Sequence, residues 1–143
     1  MNEQRGLILD RQHMGKPSSN DLGATFDADR DGIADICESE AYFTSMLAHK
    51  IAVTAALRGI PCYTLLYGNY SDRHAEARDI AASDKAVYYK YLAMHMNAGR
   101  SVPPFYGLVG YDARSVGGSR FASMLQAAWS VRFDRSFRVM PTS

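Results

Sequence analysis

The sequence has no long hydrophobic run, no excess of one charge and very little cysteine. Its apolar stretches are far shorter than the roughly 20 residues that a helix needs to span a bilayer, so no membrane span is predicted. The 16 lysines and arginines nearly match the 15 aspartates and glutamates. Because the basic residues form no cluster, nucleic acid is not expected as a partner. The first residues lack the basic flank and apolar core of a signal peptide, so we expect synthesis in the cytoplasm without a secretion signal.

Cysteine occurs only as Cys37 and Cys62. Their spacing matches neither a cysteine-type zinc site nor a disulfide framework. We therefore expect both residues to be free, buried thiols.

Strand-like and helix-like segments alternate along the chain. Short apolar runs predict strands at 6–9, 62–67, 86–94, 105–111 and 137–140. Helical composition and spacing predict helices over 40–58, over 72–82 after an N-cap at Ser71, and after a cap at Ser119. This alternation predicts an α/β fold, with a mostly parallel central sheet and helices on both faces. A chain of 143 residues is the size of one domain, so residues 1–143 are expected to form a single domain.

The first predicted helix contains several large apolar residues near helical spacing. Their spacing supports the helix, and alanines fill the gaps between them. These residues are Phe43, Met46, Leu47, Ile51 and Leu57.

Two histidines fall at the ends of predicted strands. His13 follows the first strand closely and His95 ends the third. The carboxyl ends of parallel strands form the site-bearing edge of an open sheet, and Glu40, which begins the first long helix, is expected at that edge too. Two histidines and one glutamate with an open fourth position are a known arrangement for catalytic zinc. The alternative is that both histidines are hydrogen-bonded loop residues, and spacing alone leaves both interpretations open.

An acidic segment, residues 27–38, follows the register of an EF-hand loop inserted into the domain. Carboxylates stand at positions 1, 3, 5, 9 and 12, and glycine stands at position 6. Position 7 contributes a backbone carbonyl whatever its side chain. The alternative is a solvated acidic loop, although carboxylates this close repel one another unless a cation is bound. The predicted calcium ligands are Asp27, Asp29, Asp31, Ile33, Asp35 and Glu38.

This segment leads directly into the helix that begins with Glu40. A calcium ion bound by Glu38 would fix the direction in which Glu40 points. We therefore hypothesise that calcium is a structural prerequisite for the geometry of the zinc site and takes no part in catalysis.

Three short motifs, in the same order, resemble those of the zinc-dependent N-acetylmuramoyl-L-alanine amidases of the type 3 family. Residues 10–15, Asp-Arg-Gln-His-Met-Gly, resemble the family's Asp-x-Gly-His-x-Gly signature. Residues 95–99, His-Met-Asn-Ala-Gly, resemble its His-x-Asn-Ala motif. Between them, Glu40 opens a helix that closes with Arg-Gly, and residues 78–82 are similar to the family's arginine-containing helix. The resemblance covers residues 6–100 well and the remainder loosely.

The resemblance implies that His13, Glu40 and His95 bind zinc. It also implies hydrolysis of the amide bond between N-acetylmuramic acid and L-alanine, with peptidoglycan as the partner and no obligate protein partner evident. Together with the missing signal peptide, it predicts a phage endolysin or a virion-associated lytic protein that degrades the cell wall. A bacterial enzyme trimmed to its catalytic domain would have the same features, so the sequence leaves that alternative open. The alternatives are a zinc peptidase that acts on cell-wall stem peptides and a non-catalytic, calcium-stabilised wall-binding module.

Two features depart from the family pattern. Gln12 stands where the family has glycine. The family also places a catalytic glutamate on a strand near its C-terminus, and this sequence has no glutamate after Glu76. We therefore expect the family's last strand to be missing and the general base to be unassigned, with Asp112 and Asp134 as possible substitutes. Activity is expected to be impaired, because a general base contributes roughly 10²–10⁴-fold to the rate.

Three further residues are weaker candidates. Asp10 either orients a zinc-bound histidine or caps the loop after the first strand, and the sequence leaves both roles open. His49 and His74 lie on predicted helices and are expected to be solvated or hydrogen-bonded.

Overall fold

The computed structural model of the protein describes residues 4–11, 13, 22–25, 27, 29–33, 35–65, 68–95, 107–132 and 137–142. Strands and helices alternate along these residues, as predicted. The strands are β1 (Gln4–Arg11), β2 (Cys62–Leu65), β3 (Val87–Met94), β4 (Gly107–Asp112) and β5 (Phe137–Thr142). The helices are α1 (Glu40–Leu57), α2 (Tyr70–Ser83) and α3 (Val116–Arg132), and a short 3-10 turn (Ile36–Glu38) precedes α1. None of the described helices is both long enough and apolar enough to cross a membrane.

These elements belong to two compact units, residues 1–98 and residues 99–143. In the first unit, β1 lies between β2 and β3 in a parallel three-stranded sheet. In the second unit, β4 and β5 form a parallel pair, and α3, which connects them, contacts both strands. The predicted α/β fold with parallel strands is confirmed, with the strands divided between two sheets. The assignment of residues 1–143 to a single domain stays a prediction.

β1 is the central strand of the first unit, and its consecutive residues Ile8 and Leu9 are both buried. Neighbouring side chains on a strand point to opposite faces of the sheet, so the two residues enter different core clusters. Ile8 packs in the cluster that contains Ala77 of α2, whereas Leu9 packs in the cluster that contains Ala48 of α1. The two helices therefore cover opposite faces of this sheet, as predicted.

The predicted first helix is present as α1, which turns a face of mostly small residues towards the sheet. Its buried residues are Glu40, Ala41, Thr44, Ala48 and Ala55. The large apolar residues whose spacing predicted the helix are mostly exposed: Phe43, Met46, Leu47 and Leu57 face solvent, and Ile51 is half-buried. The alanines recur at the same helical period on another face, where a short side chain lets the helix approach the sheet closely.

α2 begins earlier than predicted. Its N-cap is Asn69, whose side-chain oxygen accepts a hydrogen bond from the Asp72 amide at 3.0 Å. The Asp72 carboxylate accepts one from the Asn69 amide at 3.0 Å in return, which completes a capping box. Ser71, the predicted cap, therefore lies inside the helix.

α3 also begins before its predicted cap. The Ser115 hydroxyl accepts a hydrogen bond from the Gly118 amide at 2.9 Å, and the helix follows Ser115 directly. Ser119 is therefore a helical residue. The two glycines of the first turn disfavour a helix by propensity, which explains why the sequence pattern placed the start after them.

Both cysteines are free, as expected, but Cys37 is exposed and Cys62 is only half-buried. The prediction of burial was wrong for Cys37, because the 3-10 turn buries only Glu38 and leaves the neighbouring thiol at the surface. Burial raises the pKa of the Cys62 thiol.

Candidate metal centre

Three residues from distant parts of the chain meet at the carboxyl end of the three-stranded sheet: His13, Glu40 and His95, here called the His–Glu–His group. His13 follows β1, His95 follows β3, and Glu40 is the first residue of α1. His13 Nε2 lies 3.4 Å from Glu40 Oε1, and His95 Nδ1 lies 3.0 Å from the same oxygen. One ligand atom from each residue lies within 4.8 Å of the others. The structure thus brings together the three residues that the sequence analysis placed at this edge.

Glu40 is the buried member of the group, with 4% of its surface exposed, whereas His95 is exposed. A buried carboxylate is costly unless it has charged or hydrogen-bonding partners. Its position at the start of α1 helps, because the amino end of a helix favours negative charge. The preceding residue, Ser39, caps the helix by accepting a hydrogen bond from the Tyr42 amide at 3.2 Å. The carboxylate is therefore held at a fixed helix end, against two imidazoles.

The donor atoms of the group fit zinc. Two imidazole nitrogens and one carboxylate oxygen form a known ligand set of catalytic zinc sites. A cation there would also offset the cost of the buried Glu40 charge. Since His95 remains exposed, the group is accessible from solvent.

The chain matches no protein-family model, no curated protein and no solved structure. The resemblance to the amidases therefore rests on the sequence motifs alone and stays a prediction. Parts of those motifs, residues 12, 14–15 and 96–99, lie outside the described residues.

Asp10 belongs to a buried ion pair that the sequence analysis missed. The residue is 0% exposed, and its Oδ1 lies 2.9 Å from Nε of Arg73, a buried residue of α2. The Tyr91 hydroxyl donates a hydrogen bond to the other carboxylate oxygen, and burial together with this bond raises the pKa of Tyr91. This pairing places the Asp10 carboxylate on the α2 face of the sheet, whereas Glu40 begins α1. Residues 78–82, which resemble the family's arginine-containing helix, belong to the same helix as Arg73. Their arginine, Arg78, is exposed.

Three carboxylates of residues 27–38, here called the acidic loop, also lie together. Ligand atoms of Asp27, Asp29 and Glu38 lie within 4.8 Å of one another. Asp31 and Asp35, which were predicted to join them, are not part of this grouping of the described residues. The structure thus brings together positions 1, 3 and 12 of the predicted calcium loop.

The turn of the acidic loop has the form that its glycine predicts. Gly32, at position 6, has a positive φ of 89°. The amide of Asp31 donates to Asp27 and to Asp29, each at 3.2 Å, and the Gly32 amide donates to Asp27 at 3.0 Å. The Asp31 carboxylate accepts from the amide of Ile33, the position 7 residue, at 2.8 Å, and the Ile33 side chain is exposed. These hydrogen bonds turn main-chain donors towards the carboxylates and hold the loop in a compact form.

The two other histidines lie on helices, as expected. His49 is exposed on α1. His74 packs between two tyrosine rings, with its ring centroid 4.0 Å from that of Tyr70 and 5.2 Å from that of Tyr91. Neither belongs to a metal-type grouping of the described residues.

Asp112 is poorly suited to act as a general base. Arg114 binds both of its oxygens, through Nε at 3.0 Å and Nη2 at 2.8 Å. These hydrogen bonds lower the pKa of Asp112 to about 2. A catalytic base is most effective when its pKa lies near the working pH, so Asp112 would accept a proton weakly at neutral pH. The other candidate, Asp134, lies outside the described residues.

Proposed function

We propose that the protein is a zinc-dependent amidase that hydrolyses the bond between N-acetylmuramic acid and L-alanine in peptidoglycan. The observation that carries the proposal is the convergence of His13, Glu40 and His95 at one sheet edge, with Glu40 Oε1 3.4 Å and 3.0 Å from the two imidazoles. The choice of substrate depends on the resemblance of the motifs around the two histidines to those of the type 3 amidases.

Each residue of the His–Glu–His group has a defined part in this proposal. The histidines offer one imidazole nitrogen each, and Glu40 offers a carboxylate oxygen. Zinc bound in such a site supplies Lewis acidity, which polarises an amide carbonyl and lowers the pKa of water to about 7. The group lies at the end of the sheet and His95 is exposed, which is what a site for a large polymeric substrate requires.

The described residues assign no general base to the proposed hydrolysis. No glutamate follows Glu76 in the chain, and the Asp112 carboxylate is held by Arg114. A missing general base lowers the rate by roughly 10²–10⁴-fold while leaving the metal ligands in place. Zinc affinity and catalysis are therefore expected to be separable in this protein.

The acidic loop is proposed to bind one calcium ion. Support comes from its EF-hand register and from the grouping of Asp27, Asp29 and Glu38. In EF-hand loops, position 12 supplies a glutamate that binds through both oxygens. Here that residue is Glu38, which is 7% exposed and therefore held close to the rest of the loop.

The proposal is tested by native mass spectrometry of the purified chain, before and after selective chelation, followed by digestion of purified cell wall. One zinc and one calcium ion, with release of intact stem peptides from the glycan, are the expected results. His95→Ala should greatly weaken zinc binding, whereas His49→Ala, which changes an exposed histidine outside the group, should not.

Other products would point to the alternatives. Shortened stem peptides would indicate a zinc peptidase. Binding to the wall without hydrolysis, retained in His95→Ala, would indicate a wall-binding module. A chain that binds neither metal would contradict the proposal.

A further inference from the structure

The two oxygens of Glu40 have different surroundings. Oε1 faces both histidines, at 3.4 Å from His13 Nε2 and 3.0 Å from His95 Nδ1. Oε2 accepts a hydrogen bond from the main-chain amide of Ala24 at 3.0 Å. One oxygen therefore belongs to the His–Glu–His group, and the other is held by the backbone.

The segment that provides this amide, residues 22–25, is itself fixed to the start of α1 and is here called the bracing segment. The Glu40 amide donates to the Ala24 carbonyl at 2.7 Å, and the Ala41 amide donates to the Leu22 carbonyl at 3.0 Å. Thr25 also forms an antiparallel bridge with Ser39. These contacts satisfy amides that a helix leaves without intrahelical partners at its first turn. They also fix the position of the Ala24 amide relative to the Glu40 side chain.

Gly23 of this segment lies close to both Glu40 and His13. Its φ is 69°, a conformation that favours glycine. A Cβ built at this position would lie 2.7 Å from Glu40 Oε2 and 2.7 Å from both Cγ and Cδ2 of His13. Such distances are too short for a side chain, so Gly23 allows the backbone to pass between the two residues.

We propose that the bracing segment fixes Glu40 as a metal ligand that binds through one oxygen. The Ala24 amide holds Oε2, which leaves Oε1 to face the metal, and Gly23 sets the spacing between Glu40 and His13. This inference rests on the proposed zinc site and gives a reason why that site would prefer zinc to calcium. A single carboxylate oxygen with two imidazoles suits four-coordinate zinc, whereas calcium takes six to eight oxygens and often both oxygens of a carboxylate.

Zinc affinity in a matched pair of glycine variants tests the role of Gly23. Gly59 has a φ of 65°, close to that of Gly23, but a Cβ there would meet nothing within 4 Å. Gly23→Ala and Gly59→Ala therefore impose similar backbone strain, and only the first disturbs Glu40 and His13. Gly23→Ala is expected to weaken zinc binding roughly 10- to 100-fold, the usual effect of losing a residue that orients a ligand. Gly59→Ala is expected to change it less than threefold, and equal losses in the two variants would overturn the inference.

Two spectroscopic measurements separate positioning from a loss of stability. The visible absorption of bound cobalt reports the number and symmetry of its ligands, so Gly23→Ala should change the spectrum and Gly59→Ala should not. In the metal-free protein, Glu40→Gln should move the amide proton of Ala24 upfield and speed its exchange, because it replaces a charged acceptor by a neutral one. An unchanged cobalt spectrum or an unmoved Ala24 amide would overturn the inference while leaving the proposed function intact. A wild-type chain without zinc affinity would overturn both.

Discussion

The His–Glu–His group and the acidic loop both gather metal-type ligands in the first unit, but they are built in opposite ways. Residues 13, 40 and 95 are distant in the chain, and only the parallel sheet and the start of α1 bring them together. The acidic loop draws its ligands from twelve consecutive residues, 27–38, and a glycine turn with local hydrogen bonds shapes it. The first site therefore depends on the tertiary fold, and the second depends mainly on local sequence.

Burial follows the same division. The carboxylates at the sheet end, Glu40 and Asp10, are both buried and need fixed partners. In the acidic loop, Asp27 and Asp29 are exposed, and Glu38, next to α1, is the one buried residue among those that the structure describes there. Damage to the fold should therefore weaken the His–Glu–His group more than it weakens the loop.

The largest effect is expected from removal of a ligand of the His–Glu–His group. His95→Ala should reduce zinc affinity by more than the roughly 100-fold that loss of a supporting residue costs, because it removes one of three donors. Calcium binding should persist, since the Asp27–Asp29–Glu38 grouping shares no residue with the His–Glu–His group. Competition titration with a zinc chelator measures the zinc affinity, and calcium titration measures the calcium affinity. Parallel loss of both metals would show that the two sites are not independent.

The next largest effect concerns the buried ion pair that supports the sheet end. Arg73→Ala leaves the Asp10 carboxylate buried without its cation, and breaking such a pair typically costs about 3–5 kcal/mol of stability. Arg78→Ala, on the exposed side of the same helix, should change the free energy of unfolding by no more than about 0.5 kcal/mol. Urea unfolding of the metal-free proteins gives both values. A difference below about 1 kcal/mol between the two variants would contradict the structural role of the pair.

The sequence predicted the elements better than it predicted their contacts. The order of strands and helices and the position of Glu40 at a helix start were accessible from local patterns, because caps, glycines and apolar runs act over a few residues. The packing face of α1 was not accessible. The spacing of large side chains such as Phe43 and Leu47 predicted the helix, but the buried residues are the smaller Ala41 and Ala48.

The candidate site shows the same limit. His13, Glu40 and His95 could be selected because each ends or begins a predicted element. The supporting residues could not. Ala24 acts through its main-chain amide, which carries no residue-specific signal, and Arg73 is identified only by its contact with Asp10 across the sheet.

A moderate effect on zinc affinity is expected when the acidic loop can no longer bind calcium. Asp29→Ala combined with Asp31→Ala should abolish calcium binding, because it removes two carboxylates from the loop. The loop ends lie next to the bracing segment and Ser39, so zinc affinity should also fall, by about fivefold at the low end of typical coupling between sites. By linkage, zinc should raise calcium affinity in the wild-type chain by the same factor. Unchanged zinc affinity in the double variant would show that calcium has no influence on Glu40.

The smallest effect, on the free energy of unfolding, is expected at Asp112, which belongs to neither the His–Glu–His group nor the acidic loop. At this exposed position, local hydrogen bonds shift the pKa of the carboxyl. Arg114 lowers its pKa from the ordinary 3.8 to about 2. A carboxyl whose pKa is lower in the folded chain stabilises the fold above its unfolded pKa, and that contribution is lost as the pH falls through the folded pKa. The stability difference between wild type and Asp112→Asn should therefore be small and constant above about pH 5 and shrink towards pH 2, with high salt reducing it. Unfolding curves across that range measure it. Zinc content and wall hydrolysis should not change in Asp112→Asn, and a loss of hydrolysis alone would instead identify Asp112 as the missing base.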